Sequence, residues 1–284
     1  MYEISLLLPT RGRPHRLKCF VNSLLNTADN IDMIELVIYL DTDDICHDQI
    51  SEYLDTLAIN CVVISDSRTD MGSMLNKCFR ASSGRLIGLV NDDVEIQTAN
   101  WDRRISKEFL GNNKFLMTYP NDGFKGEGES TFPFFSREFF DDFYEPFPRY
   151  LGSHIDTHFF HLFSGLRFLS IGKIMYLPDV LFKHLHYRTN NDYFDSTYKE
   201  RNRFGDDLYF LMSLQDIDKW LLQTRRSGEE LFSWSRIERE NLNPINSILI
   251  VSRLSCEYFN FKLKTKLFFK YFLRLVYHNL FSAK

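Results

Sequence analysis

Leu86-Ile87-Gly88-Leu89-Val90-Asn91-Asp92-Asp93 is a short apolar run that stops on two adjacent carboxylates. It is apolar enough for a strand buried on both faces, with the acids standing just past its end. Three runs upstream have the same form. Ile4–Leu8 ends at Pro9 and the polar Thr10-Arg11-Gly12-Arg13, Leu36–Leu40 ends at Asp41-Thr42-Asp43-Asp44, and Cys61–Ile64 ends at Ser65-Asp66. Between them the period changes. Leu17, Phe20, Val21, Leu24 and Leu25 recur at i, i+3, i+4, i+7 and i+8, and so do Met71, Met74, Leu75, Cys78 and Phe79. That spacing places each set on one buried helix face. Gly84 is expected to cap the second of these helices, a further helix is expected over Trp101–Leu110 ahead of Gly111, and Phe115–Tyr119 reads as a strand. Strands alternating with helices imply crossover connections and a mainly parallel sheet flanked by helices, the α/β class. In such sheets ligands bind beyond the carboxyl ends of the strands. Thr10–Arg13, Asp41–Asp44, Asp66–Asp70 and Asn91–Asp93 then share one rim.

Downstream the signals are of other kinds. Asn121–Ser130 holds Gly123, Gly126 and Gly128 and reads as a mobile loop beside that rim. The aromatic stretch Phe132–Phe147 is expected to cover a cleft. Ser153 is expected to cap a helix running from near Ile155 to near Gly165. Lys173–Leu177 and Val180–Lys183 read as two short strands around Pro178-Asp179, and from about Asp206 the pattern is mostly helical.

The chain has 284 residues, with 44% apolar, 15% aromatic and 25% charged residues, a globular composition that excludes collagen, low-complexity and wholly disordered chains. A formal charge of −4 implies no general binding of nucleic acid. The balance is uneven: residues 253–284 carry seven Lys or Arg and one acid, a net +6, so the rest carries −10. Phe268, Phe269, Phe272, Leu273 and Val276 make an apolar stripe among those basic residues. A basic amphipathic helix of this kind docks on its own protein, joins a second copy, or lies on an anionic membrane surface. Five cysteines without CxxC pairing read as reduced thiols, which with Met1 leading straight into a strand suggests a cytoplasmic protein. No run reaches about 18 uninterrupted apolar residues, the length a membrane-spanning helix needs.

Adjacent carboxylates repel unless a cation compensates them, and hard divalent ions prefer oxygen ligands. Asp92 and Asp93 therefore suit a Mg²⁺ or Mn²⁺ ion shared with substrate phosphates, although an acidic pair after a strand also solvates a turn. Thr10, Arg11 and Arg13 in the first strand-to-helix loop suit an anionic or nucleotide ligand. Asp41 is placed to accept from a nucleobase or ribose, with Arg68 as a second nucleotide contact, while Asp43 and Asp44 read as loop acids. His154 and His158 stand at i, i+4 but enclose Ile155 rather than the Glu of HExxH, so catalytic zinc is not indicated. His184-Leu185-His186 projects two imidazoles to one side of an extended segment, where one suits a metal and the other a structural role.

Taken together, these residues resemble the family-2-type glycosyltransferases of the GT-A fold. The resemblance rests on Leu8-Pro9-Thr10-Arg11-Gly12-Arg13, Asp41, Met74-Leu75-Asn76-Lys77, Leu89-Val90-Asn91-Asp92-Asp93, Asp156-Thr157-His158, Tyr176-Leu177-Pro178-Asp179-Val180 and Lys183-His184-Leu185-His186. It covers roughly residues 3–190. It implies a GT-A-like catalytic domain over 1–190, with a nucleotide-sugar half over 1–120 and an acceptor and base half over 121–190, followed by a mostly helical extension over 191–284. It also implies metal-dependent, inverting transfer of a sugar from a nucleotide diphosphate to a hydroxyl of a glycan, lipid-linked or protein acceptor. By that resemblance Thr10, Asp41 and Arg68 hold the nucleotide, Asp92 lies near the ribose or sugar, Asp93 with His184 or His186 binds the metal, and Asp156 is the base. Asn91 departs from the first acid of the family's DxD, and Ile155 from the acid that often precedes the base. A nucleotidyltransferase, or an inactive nucleotide-sugar-binding protein, would share the same sheet.

Overall fold

The structure, a computed structural model, describes residues 2–111, 114–199, 203–225 and 231–235. The stripe around Phe268–Val276, with its expected membrane or subunit contacts, lies outside the described residues. No helix among the described residues is long and apolar enough to cross a membrane.

β1 (Ile4–Thr10), β2 (Ile34–Asp41), β3 (Asn60–Asp66) and β4 (Leu86–Leu89) pair in parallel, with α1 (Pro14–Thr27), α2 (His47–Asp55) and α3 (Met71–Ala81) in the crossovers. β5 (Val94–Ile96), α4 (Trp101–Glu108), β6 (Leu116–Asn121), β7 (Phe134–Ser136), α5 (Ile155–Phe168) and β8 (Lys173–His184) follow. They complete an 8-stranded sheet of order β3-β2-β1-β4-β7-β6-β8-β5. β6 and β8 are parallel to each other, whereas β7 runs against β4 and β6, and β5 against the end of β8. The mainly parallel α/β sheet expected from the sequence is present, with two strands in the opposite sense.

Alternation along each strand feeds two cores. Leu6 and Leu8 of β1 join Leu17, Phe20 and Leu24 of α1 and Trp101 of α4 in one core. Leu7 joins Leu75 of α3 and Phe159, Leu162 and Phe163 of α5 in the other. After α6 (Ser196–Lys199), α7 (Arg203–Arg225) adds Phe210, Ile217 and Trp220 to that second core.

Four expectations are corrected by this packing. Phe132–Phe147 covers no cleft: β7 is an interior strand, so Phe134 points into one core and Phe135 into the other, both 0% exposed. Gly88 of β4 leaves room for it, since a Cβ there would stand 2.5 Å from the Phe134 ring. Gly84 does not cap α3, which ends at Ala81 on an extended Ser82; Gly84 instead lies against Ser5 of β1, whose hydroxyl accepts its N–H at 2.7 Å. Ser153 does not cap α5, because the N-cap residue is His154. The two strands expected around Pro178-Asp179 are one, β8, and a register shift opposite Pro120/Asn121 takes up the proline, which has no N–H for the ladder.

Candidate active site

β1, β2 and β3 end level, with Thr10 opposite Leu40 and Asp41 opposite Asp66, so their polar ends emerge on one rim. Thr10 donates its hydroxyl to Asp92 Oδ2 at 2.7 Å. Arg13 Nη1 donates to Asp92 Oδ1 at 3.0 Å and reaches Asp93 Oδ2 at 3.5 Å. Arg11 bridges Asp41 at 3.0 Å and Asp43 at 2.6 Å. Between the two arginines the loop turns at Gly12, whose φ of +67 favours glycine, and whose N–H donates to Asp44 Oδ2 at 2.6 Å. Asp44 Oδ1 accepts from Cys46 N–H at 2.9 Å, so this residue, expected to be a loop acid, lies in the loop but is buried and staples two loops.

Burial raises the pKa of Asp41, while Arg11 and the charge of nearby Arg68 counter it. Asp92 and Asp93 are both buried, yet they shift in opposite directions. Burial and the Asp93 charge push Asp92 up, against Arg13 and the Thr10 hydrogen bond. Burial acts on Asp93 too, but His184, Arg13 and the Tyr198 hydroxyl outweigh it and hold Asp93 below the usual aspartate range. Arg13 loses water on burial, and the carboxylates of Asp92, Asp195 and Asp93 still hold its pKa above the ordinary arginine value.

Asp93 Oδ1 faces His184 Nε2 across 3.4 Å and is buried with no hydrogen-bond partner among the described residues. Two ligands at right angles on one cation, each about 2.1 Å away, stand about 3 Å apart. That spacing and the unsatisfied oxygen fit a divalent cation between the two side chains. No three His, Cys, Asp or Glu side chains among the described residues form a ready-made cage, so further ligands would come from phosphate or water. His186, also expected as a ligand, lies beside it: its ring is 5.0 Å from that of His184 and stacks on Phe124 at 5.3 Å, and its Nδ1 accepts from Arg188 N–H at 3.1 Å.

Asp156 opens α5 on the far side of a pinned loop. The Asp122 carbonyl accepts from His184 N–H at 2.9 Å. Asp122 Oδ1 accepts from the N–H groups of Phe124, Lys125 and Gly126, and Oδ2 from the Thr131 hydroxyl. Burial alone would raise the Asp122 pKa, but these donors hold it low. The stretch expected to be mobile is thus tied to one buried carboxylate. From its end, Ser130 Oγ donates to the Asp156 carbonyl at 3.3 Å, and Glu129 accepts from the Thr157 hydroxyl at 2.8 Å. Just ahead, His154 holds a left-handed φ of +64 and meets Asp207 of α7 at 3.0 Å. That conformation is costly for a non-glycine residue and fixes the entry to α5. A chain of short contacts therefore joins Asp93 to Asp156 through His184 and Asp122.

The model of the family described as "Glycosyl transferase family 2" matches residues 5–165. The chain belongs to glycosyl transferase family 2. Two solved structures show the same GT-A fold. The mannosyltransferase PcManGT from Pyrobaculum calidifontis, in complex with GDP-Man and Mn²⁺, superposes with a TM-score of 0.58 at 10% identity, covering 100% of this chain and 89% of that one. Residues 1–349 of S. aureus TarS, in complex with UDP-GlcNAc, give a TM-score of 0.55 at 14% identity, covering 89% of this chain and 82% of that fragment. No sequence among the curated proteins matches.

Around Asp93 the glycosyltransferase also brings together residues that sequence reading missed. Arg16, one turn beyond Arg13, lies 3.8 Å from Asp93 Oδ2, and its position at i+3 was a readable signal. Tyr198 donates its hydroxyl to Asp93 Oδ2 at 2.7 Å, and Asp195 holds Arg13. Both follow the matched residues 5–165, and nothing local in their sequence marks them.

Proposed function

We propose that this glycosyltransferase transfers a sugar, with inversion, from a nucleotide-diphosphate donor to an acceptor hydroxyl, using a divalent cation, manganese or magnesium, held by Asp93 and His184. The observation that carries this reading is the buried Asp93 Oδ1, unpartnered and facing His184 at 3.4 Å beside Arg13 and Arg16. PcManGT with GDP-Man and Mn²⁺ and TarS with UDP-GlcNAc supply the donor class by likeness of fold, and neither the base nor the sugar follows from them.

In this reading residues 1–120 hold the donor and residues 121–190 the acceptor, with 191–284 as an extension. Thr10, Arg11, Asp41 and Arg68 bind the nucleoside, and Asp92 lies near its ribose or the sugar. Asp93 and His184 would hold the cation, which when bound would supply Lewis-acid neutralisation of the charge growing on the departing diphosphate. Arg16, and Arg13 once released from other anions, add fixed positive charge on the same side. Asp156 accepts the proton of the acceptor hydroxyl as its oxygen bonds to the anomeric carbon and the bond to phosphate oxygen breaks. One displacement inverts the anomeric centre. Acceptors of this chemistry are hydroxyls of a glycan, a lipid-linked sugar or a protein.

The test is a panel of nucleotide sugars with Mn²⁺ and labelled sugar, read by diphosphate release and by NMR of the product's anomeric centre. The expected result is transfer with inversion by the wild type, and a loss on the order of 10²–10³-fold in Asp93→Asn, assayed well below its lowered melting temperature with its circular dichroism spectrum unchanged. Retention of configuration, or full activity in Asp93→Asn, contradicts the reading.

A further inference from the structure

Between β8 and α6 the chain crosses back over the β1–α1 loop. Asp195 takes Arg13 in a two-point fork, Nε to Oδ2 and Nη2 to Oδ1, both at 2.9 Å, and Arg16 Nη2 lies 3.4 Å from Oδ2. Three hydrogen bonds fasten the same segment. Arg16 donates to the Tyr193 carbonyl at 2.7 Å, the Thr197 hydroxyl to the Arg11 carbonyl at 3.3 Å, and the Tyr198 hydroxyl to Asp93 at 2.7 Å. The Arg13 guanidinium also stacks over the Tyr198 ring at 4.7 Å.

An arginine fork grips a phosphate as it grips a carboxylate. Arg13 Nη1 is already spent on Asp92 and Asp93, so Asp195 takes the donors that another anion would need. With Asp195 in place, three carboxylates face two guanidiniums, leaving one net negative charge where a diphosphate must arrive. Without it the count is even, and a divalent cation with a doubly charged diphosphate also leaves it even. The contact is lightly held. The Asp195 side chain is 28% exposed against 9% for Arg13, its neighbours Asn191, Asp192 and Phe194 are exposed, α6 is only 4 residues long, and Tyr198 is the buried ring that anchors the segment. A segment anchored by one ring opens at lower free-energy cost than strands packed on both faces.

We infer that Asp195 is an internal anion standing where the donor's diphosphate binds, and that residues 193–198 form an autoinhibitory plug which the diphosphate displaces. The inference rests on the donor class proposed above. Asp195→Asn keeps the shape and removes the charge. Titration calorimetry with UDP and with GDP, each with Mn²⁺, should give a Kd about tenfold lower for Asp195→Asn than for wild type. Asp192→Asn, the same change on an exposed neighbour, should leave Kd within about twofold. In wild type, hydrogen exchange across 193–199 should rise when the nucleotide binds. Equal or weaker binding by Asp195→Asn, or added protection of 193–199 on binding, overturns the plug. Should neither nucleotide bind either protein, the donor class falls, and inorganic pyrophosphate decides the plug alone: tighter binding by Asp195→Asn supports it and equal binding overturns it. Asp195→Ser carries the same expectations if the first variant fails to fold.

Discussion

Two sets of residues meet at Asp93, and they are held there differently. Thr10, Arg13 and Asp92 sit at or just past the ends of β1 and β4, neighbouring parallel strands packed on both faces, so the sheet itself sets their positions. Asp195 and Tyr198 come from a surface segment, with Asp195 lying 182 positions from the Arg13 it pairs with. Strand ends are held by buried apolar neighbours over several residues, whereas the segment is held by the one buried Tyr198 ring and by polar contacts at the rim. The first set is rigid by construction and the second, on the inference drawn above, is displaced by the donor, which suits a pocket that must both hold charge and admit a charged ligand.

Substitutions on the two sides break that contrast in graded ways. The largest effect is expected at Asp156, which belongs to neither set. Asp156→Asn should lower sugar transfer by about 10²–10⁴-fold while leaving the donor Kd unchanged, as measured by product formation and calorimetry. Equal losses in binding and transfer would place Asp156 in the donor site instead.

Next come the two hydroxyls that donate to the acidic pair. Thr10→Val strips a hydrogen bond from buried Asp92, which has no way to move toward water, and should cost about 1–3 kcal/mol in urea unfolding. Tyr198→Phe removes a hydrogen bond of the same length from Asp93, but its segment relaxes outward, and the cost should be under about 1 kcal/mol. Equal costs would mean that the segment is as rigid as the strands.

Acid should loosen the loop that links the Asp93 side of the site to Asp156. The folded pKa of Asp122 lies below its ordinary value of 3.8, so the loop is fully stabilised above that value and loses the stabilisation as pH falls through the folded pKa. Hydrogen exchange at Phe124, Lys125 and Gly126, corrected for intrinsic rates, should accelerate as pH falls below about 4. Asp122→Asn should remove that dependence. The smallest effect is expected at Asp43, whose contact with Arg11 is exposed: Asp43→Asn should change the donor Kd by less than about twofold.

Much of the strand-end set was legible in the sequence, because a buried parallel strand writes its length as an apolar run and its end as a polar residue. Thr10, Asp41, Asp92 and Asp93 were found that way, and α1 and α3 by their 3.6-residue period. Reading failed where structure depends on partners far away. The phenylalanines of 132–147 looked like a cover because composition alone does not distinguish an interior strand from an exposed flap. Gly123, Gly126 and Gly128 suggested mobility, yet Asp122, the acid just ahead of Gly123, gathers three backbone N–H groups. α2 and β5 were too short to show a period, and His154 carries no sequence mark of its left-handed backbone. His184 and His186 are not separated by alternation, since i and i+2 share a side; His184 faces Asp93 Oδ1 at 3.4 Å, while the His186 ring stacks on Phe124.

A crystal structure of the protein grown with Mn²⁺ and a nucleotide sugar is the most direct test. It should place the ion within about 2.0–2.6 Å of Asp93 Oδ1 and His184 Nε2. The diphosphate should lie against Arg13 and Arg16, with the Asp156 carboxylate on the open side of the anomeric carbon. A donor bound away from Asp93, or an anomeric carbon that Asp156 does not face, contradicts a single site shared by these residues.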